Sequence, residues 1–354
     1  MSDLDRSGVG RRRLLSGGAM LGIGALTAAC TSNSRQSGDN ASQVKAAGGN
    51  NAAAGKHVTI GFSAPAADHG WIAAITLNAK AQAGQYKDVT IRATEGTNDV
   101  NQQIQQVQTL IDQKVDVLVI LPYDGKALTE VAKKAMTAGV PVVNLDRIFA
   151  SALAYRTWIG GDNYGMGVNA GNFIARKMKE AGTSNPVIVE IAGIDNLELT
   201  QQRSQGFKEA LTANGLKIAN RQAADFTAAT GQKVAAQVLQ AEKKIDAMWN
   251  HDDDQGIGVM AAIKQAGRDK EFLMVGGAGS KKAMTDIKAD NTPLKATVLY
   301  SPTMASSAIS VARLIAQGKG MSDLVEHEVP ASITTFSAVV TKDNVDQYMP
   351  VGFQ

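Results

Sequence analysis

A few groups of side chains in this chain are of types that could do chemistry. Asp146 and Arg147 are adjacent and follow the apolar run Val140-Pro141-Val142-Val143-Asn144-Leu145. A carboxylate accepts from two hydroxyls and a guanidinium donates a rigid fork, so the pair suits a neutral polyhydroxylated ligand. It could equally satisfy itself as an ion pair at a strand end. His251-Asp252-Asp253-Asp254 is a run of metal-ligand types. Four adjacent residues rarely converge on one ion and no second ligand cluster accompanies them, so no metal is expected. The same aspartates serve as helix N-caps, a role that Asp253 and Asp254 suit better than Asp252. Ser63 to Trp71 is a polar loop ending in Asp68-His69-Gly70-Trp71. A dinucleotide site wants Gly-x-Gly-x-x-Gly at the first strand–helix turn, which Gly61-Phe62-Ser63-Ala64-Pro65 does not supply. Gly160-Gly161 and Gly165-x-Gly167 read as backbone geometry beside a helix start. No Ser/His/Asp set is evident. Catalysis and a cofactor are therefore not expected.

These groups need a scaffold, and the hydropathy pattern provides one. Val58–Phe62, Val89–Arg92, Val117–Ile120 and Val140–Leu145 read as strands, with helices at Trp71–Ala83, Val100–Gln113 and Ala127–Ala138 between them. The pattern then restarts. Strands are expected at Val187–Ile191, Lys217–Ala223, Asp246–Trp249, Phe272–Val275 and Ala296–Leu299, and helices at Gln201–Ala213, Gly231–Glu242 and Gly256–Ala266. A helix at Met304–Ala316 and strands near Ile333–Val340 finish the chain. Short, continuous, β-branched runs are those of parallel strands buried on both faces. Helical crossovers between them imply doubly wound sheets. The predicted fold is therefore α/β, built from two such units.

The first residues carry a different message. Arg11-Arg12-Arg13 precede an uncharged stretch, Leu14 to Ala29, that ends in the only cysteine, Cys30. The stretch is too short and too glycine-rich for a membrane span, which needs roughly 20 apolar residues. It reads as a signal peptide over residues 1–29. Leu26-Thr27-Ala28-Ala29-Cys30 resembles the bacterial lipobox, in which the thiol is acylated, and Arg11 to Leu15 resembles a twin-arginine signal or equally the basic start of a general secretory one. A lone cysteine cannot close an internal disulfide, and it makes sense as a membrane anchor. Thr31 to Gly55, rich in Ser, Asn, Gly, Ala and Gln, cannot bury enough apolar surface to offset its ordering entropy. As a tether its flexible coil would span roughly 25–30 Å. The expected location is extracytoplasmic, on the cell membrane. About 300 of the 354 residues follow the tether, enough for two domains. The formal charge of +3 falls to near +1 once the leader's four arginines and two aspartates are set aside. Nucleic acid is not an expected partner.

Several local patterns, in order, carry a resemblance. Lys114-Val115-Asp116-Val117-Leu118-Val119-Ile120 precedes Pro122. Gly139-Val140-Pro141-Val142-Val143 precedes Leu145-Asp146-Arg147. Gln202-Arg203-Ser204-Gln205-Gly206-Phe207 contains Arg-x-x-Gly-Phe, and Asn250-His251-Asp252-Asp253 precedes Gly256 and Gly258. Over about residues 56 to 345 the sequence resembles type I periplasmic binding proteins, specifically the ribose-binding-like sugar-binding lipoproteins of ABC importers. The resemblance implies two lobes joined by three crossings, near Ile159–Asp162, Tyr300–Thr303 and Ala331–Thr334. Residues 56–160 and 303–331 would form the N-terminal lobe, and 161–302 and 332–354 the C-terminal lobe. Ligand would lie between them, at the carboxyl ends of the strands, and closure would bury it.

The resemblance also implies roles. Asp146, Arg147 and Arg203 would hydrogen-bond the ligand, and Asp252 stands at a ligand-binding position. Ser63 and His69 come from the polar loop that the family uses for contacts. Trp71 and Phe226 would be stacking walls, one from each lobe. Tyr300 replaces a polar residue at the second crossing, and Gly276-Gly277-Ala278-Gly279 lacks the acid of the ribose binders' Gly-x-Asp-Gly turn. Both departures argue against ribose itself. Two arginines balanced by two aspartates favour a neutral sugar or sugar alcohol over a sugar acid or phosphate. The expected partners are that carbohydrate, the transmembrane subunits of an ABC permease, and the membrane through the lipid anchor, with the protein acting as a monomer. A receptor for a furanosyl signal molecule, or a ligand-presenting partner of a membrane sensor, would share the same fold and Asp-Arg logic.

Overall fold

The computed structural model describes residues 50–321 and 328–354. The leader, Cys30 and tether residues 31–49 lie outside the described residues. No helix among the described residues is long and apolar enough to cross a membrane.

Two six-stranded sheets organise the chain. The first contains β1 (Val58–Ser63), β2 (Val89–Ala93), β3 (Val117–Ile120), β4 (Val142–Leu145), β5 (Thr157–Gly161) and β11 (Ser332–Thr335). Their spatial order is β11-β5-β4-β3-β1-β2, and every pairing is parallel. Helices α1 (Gly70–Gly84), α2 (Val100–Asp112) and α3 (Gly125–Thr137) connect the first four strands. The second sheet contains β6 (Ile188–Ala192), β7 (Ile218–Ala223), β8 (Ala247–Asn250), β9 (Leu273–Ala278), β10 (Leu294–Leu299) and β12 (Val339–Thr341). Its order is β12-β10-β9-β8-β6-β7, with β12 alone antiparallel. Its helices are α4 (Asn163–Glu180), α5 (Glu198–Ala213), α6 (Ala228–Ala241), α7 (Asp253–Gln265) and α8 (Lys281–Ala289). Helix α9 (Met304–Ala316) returns to the first sheet and packs on α1 and β3. A short α10 (Val345–Tyr348) lies near the C-terminus.

The physical reason for the layering is legible in the strands. Val117–Ile120 and Val142–Leu145 are buried at every position, as strands covered on both faces must be. Each buried Leu or Ile contributes about 1.5–3 kcal/mol over an exposed one, and each lobe has its own core. Val107, Leu118, Leu128 and Val142 meet in the first. Val189, Val238, Met248 and Ile263 meet in the second.

Four differences from the sequence-based expectation stand out. The sequence marks the start of α4 at Gly165-x-Gly167 but not its extent, because Gly165, Gly167 and Gly171 dilute its apolar face. Helices α6 and α7 begin three residues earlier than expected, at side-chain caps from Thr227 and Asp252. Strand β11 pairs with β5 in the first sheet, so residues 332–335 sit in the first lobe and not the second. The third crossing therefore falls at residues 336–338, beyond the expected 331–334. As an edge strand of alternating exposure, β11 lacks the apolar run that marks a central one. The tether, too, ends earlier than expected. The Gly55 N–H donates to Asp88 Oδ2 at 2.5 Å, and Arg313 Nη2 donates to the Ala53 carbonyl at 2.8 Å. The Arg313 guanidinium beside Asp88 holds that carboxyl well below the usual carboxylate range.

The crossings run side by side. The Asp162 N–H donates to the Thr335 carbonyl at 3.1 Å, and Ser337 Oγ to the Asp162 carbonyl at 3.2 Å. A Cβ at Gly161 would lie 2.1 Å from the Tyr300 ring, so only glycine lets the first and second crossings touch.

Candidate functional site

The strands of both sheets end toward a shared cleft, and the loops after them supply its walls. Asp146 and Arg147 follow β4. The Asp146 backbone is left-handed, at φ 61°, an uncommon conformation for a residue with a side chain. Buried Asn144 braces this turn, donating to the Arg147 carbonyl at 2.8 Å and accepting from the Phe149 N–H at 3.0 Å. Arg147 Nη1 donates to the Tyr123 carbonyl at 2.7 Å, while its buried Nε has no protein partner. Burial pushes the Asp146 pKa up, against the opposing effects of Tyr300, Arg147 and Arg203.

Tyr300, at the second crossing, donates its hydroxyl to Asp146 and accepts from Asn163 Nδ2 at 3.2 Å. Burial and the Asp146 charge push its pKa up. Trp71 opens α1; its indole N–H donates to the Tyr300 carbonyl at 2.8 Å, and the two rings lie 5.6 Å apart. His69 stacks on Phe226 of the other lobe, centroid to centroid 6.3 Å. Burial alone would lower the His69 pKa, but the Asp68 hydrogen bond and the Asp252 charge outweigh it and raise the value. Phe226 is also left-handed, at φ 72°. A Cβ at Gly193 would sit 1.9 Å from its ring, so that glycine makes the room.

Arg203 projects from α5. Its Nε donates to Asn163 Oδ1 at 2.9 Å and its Nη1 to the His251 carbonyl at 3.3 Å. The guanidinium carbon lies 4.6 Å from the Tyr300 ring centroid, within cation–π range. The Arg-x-x-Gly-Phe motif thus acquires a physical account. Phe207 is fully buried and packs on Trp249 at 4.7 Å. At Gly206 a Cβ would meet the Tyr164 carbonyl oxygen at 2.2 Å, so glycine lets α5 press on α4 and deliver Arg203.

The acidic run diverges in four directions. His251 pairs with buried Glu190 at 2.9 Å. Asp253 accepts from the Gly277, Gly279 and Ser280 N–H groups, holding the turn after β9. Asp254 reaches the other lobe, accepting from the Trp71 N–H at 2.9 Å. Asp252, not Asp253 or Asp254, is the N-cap of α7, accepting from the N–H groups of Asp254 and Gln255. It lines the cleft as well, and burial together with Asp254 pushes its pKa up to about 6.

His69, Trp71, Asp146, Arg147, Arg203, Phe226, Asp252 and Tyr300 all line one small cavity. Ser63 does not line it. It is buried in the first lobe, accepting from Gln103 Nε2 at 3.2 Å. The same Gln103 accepts from the Tyr123 N–H at 2.8 Å, and Tyr123 in turn accepts from Arg147. Ser63 therefore supports the arginine from behind, because its side chain points into the sheet–helix layer. The sequence reading missed Ile72 and Leu199, which add apolar wall, and Asn163, which ties Arg203 to Tyr300. A polar pair directly after a strand, Asp162-Asn163, repeats the Asp146-Arg147 pattern and was the available signal. Asp146, Arg147 and Leu199 also border a wider cleft leading outward past Trp158 and Glu198.

With this geometry in place, comparison with known proteins defines the class. Residues 60–320 match the periplasmic binding protein domain family, and the chain belongs to it. It is 32% identical over 262 residues to the galactofuranose-binding protein YtfQ of Escherichia coli, covering 71% of this chain and 80% of that one. It is 30% identical over 249 residues to the ribose import binding protein RbsB of Bacillus subtilis, covering 70% and 78%. Among solved structures, a Mycobacterium smegmatis protein in complex with β-D-fucofuranose superposes with a TM-score of 0.75. That pair is 26% identical and covers 83% of this chain and 94% of the other.

Proposed function

We propose that this protein is the extracytoplasmic solute-binding component of an ABC importer, and that it captures one neutral sugar or sugar alcohol between its lobes. One observation carries the reading. A small cavity at the carboxyl ends of two doubly wound sheets combines the Asp146–Arg147 pair with aromatic walls from both lobes. Carboxylate and guanidinium satisfy vicinal hydroxyls, and the rings cover the C–H faces. Asp146 and Asp252 offset Arg147 and Arg203, which favours a neutral cargo. The relatives' ligands make the furanose sugars the first compounds to try, and ribose tests whether Tyr300 and Ala278 exclude it. The chemistry is capture and release, without bond making. A thermal-shift panel of pentoses, hexoses, furanose-forming sugars and polyols, with sugar acids as controls, tests the reading. A ligand at 100 times its dissociation constant adds about 2.7 kcal/mol. A shift with only the anionic controls would overturn it.

Acidification should weaken capture. If ligand hydroxyls donate to Asp252, the ionised form binds, so affinity is present above its pKa of about 6 and lost below it. Asp146, whose pKa is also raised, acts in the same direction. We expect calorimetric affinity to fall about tenfold between about pH 7 and about pH 5. Asp252→Asn should flatten that dependence. The free protein goes the other way. A carboxyl raised above its unfolded value contributes stability at low pH and loses it as pH rises through about 6.

The anchor belongs to the same proposal. Acylated Cys30 and its tether would hold a monomeric receptor beside the permease at the cell membrane. Cys30→Ser should move the protein from the membrane fraction to the soluble fraction; retention in the membrane would rule the anchor out.

A further inference from the structure

The N-terminus of α1 is capped by the wrong lobe. An α-helix leaves its first N–H groups without intrahelical partners. Helices α2, α3 and α4 solve this locally, with Asp99, Asp124 and Asp162 accepting from the N–H three residues on. The residue in that place for α1, His69, makes no cap hydrogen bond, and the first turn of α1 has no acid. The His69 ring is engaged elsewhere, with Asp68 at 2.5 Å and with Phe226. The acceptor comes instead from Asp254, in the first turn of α7 on the second lobe. Its Oδ2 lies 2.9 Å from the Trp71 nitrogen. Its other oxygen, Oδ1, lies 2.8 Å from where a Cβ of Gly70 would stand. The Gln354 carbonyl oxygen lies 2.9 Å from that same point. Residue 70 is glycine because a side chain there would push the second lobe away.

We propose that Asp254 is a positioning residue that caps α1 in trans, so that the cap exists only while the lobes are together and draws them closed. It touches none of the cavity. It sets how much of ligand capture is lost to opening, because a population of open protein lowers apparent affinity by the fraction that is not competent. The cap also orders Trp71, whose indole forms a wall of the cavity. The cap itself stands on the hydrogen bonds; its link to affinity rests on the sugar-capture reading above.

The test uses the full chain with Cys30→Ser, first without any sugar. Amide hydrogen exchange at Gly70 and Trp71 should rise about tenfold in Asp254→Ala, in line with the usual worth of an N-cap. Asp254→Asn, which keeps an oxygen acceptor, should restore most of the protection. A residue that only helped to start α7 would show neither effect in α1. Gly70→Ala should loosen the same amides, and combining it with Asp254→Ala should add little, since both remove one contact. Equal exchange in wild type and Asp254→Ala would overturn the cap. The second arm measures D-ribose, D-fructose and L-arabinose binding. Asp254→Ala should bind about five- to tenfold more weakly any of these that the wild type binds. Unchanged affinity would overturn the link between cap and closure. Failure of the wild type to bind any of them would count against the sugar reading and leave the exchange result to decide the cap.

Discussion

Arg147→Ala lowers ligand affinity about a hundredfold or more and leaves the free protein folded. Arg147 is buried at the end of β4, spends one Nη1 hydrogen bond on the Tyr123 carbonyl, and keeps Nε without a protein partner. Hydrogen bonds from a charged group are worth about 1.5–3 kcal/mol each, and two to a sugar exceed the 2.7 kcal/mol of a hundredfold change. The fold survives because the β4 turn is braced by Asn144, not by the guanidinium. Asp146, left without its neighbour, still accepts from Tyr300. Arg147→Lys keeps the charge but not the fork, and should recover only part of the loss. Calorimetric titration with the sugar identified by thermal shift reads the affinity, and circular dichroism reads the fold. Affinity within threefold of wild type would remove Arg147 from the site.

Gly167→Ala should damage both the fold and the site. A Cβ at Gly167 would lie 2.0 Å from the Arg203 carbonyl oxygen and 2.7 Å from the Phe207 nitrogen. These are backbone atoms of α5, which cannot swing aside as a side chain can. Helices α4 and α5 must separate, at a cost of about 3 kcal/mol, or a fall in melting temperature of about 5–10 °C. Arg203 is carried away with α5, so binding should weaken by at least about tenfold even where the protein remains folded. Gly84→Ala is the control, because nothing lies within 4 Å of its Cβ. It should leave both measurements near wild type. Equal melting temperatures for the two variants would mean that the helices are not in backbone contact at Gly167.

The sequence reading and the structure part company in an orderly way. Strands such as Val117–Ile120 were legible because burial on both faces is written into consecutive residues. The cavity residues that follow such strands, Asp146 and Arg147, were legible for the same reason, since a polar pair closing an apolar run has few places to be. Arg203 and Phe226 were found through motif resemblance, and the reasons for their motifs emerged only from packing. The glycine of Arg-x-x-Gly-Phe is needed by the carbonyl of Tyr164, which belongs to α4, a helix whose extent the glycine-diluted pattern does not mark. Ser63 was misplaced because residue type and loop position do not say which face of the last strand residue looks at the cleft. Its alternation puts it in the layer with Gln103.

By itself, the sequence determined the alternating α/β plan, the two units, and the near-neutral set of polar residues at the strand ends. All of these depend on local order along the chain, where periodicity and composition act over a few residues. Only the tertiary structure decided which of four consecutive residues, His251 to Asp254, meets the cavity, which holds the β9 turn and which reaches the other lobe. It also decided that β11 joins the first sheet and that Tyr300 bonds Asp146. Those outcomes depend on partners brought together from 183 residues away, in the case of Asp254 and Trp71, and 154 residues away for Tyr300 and Asp146. No local pattern encodes a partner at that distance, because the pairing is set by how two finished lobes meet.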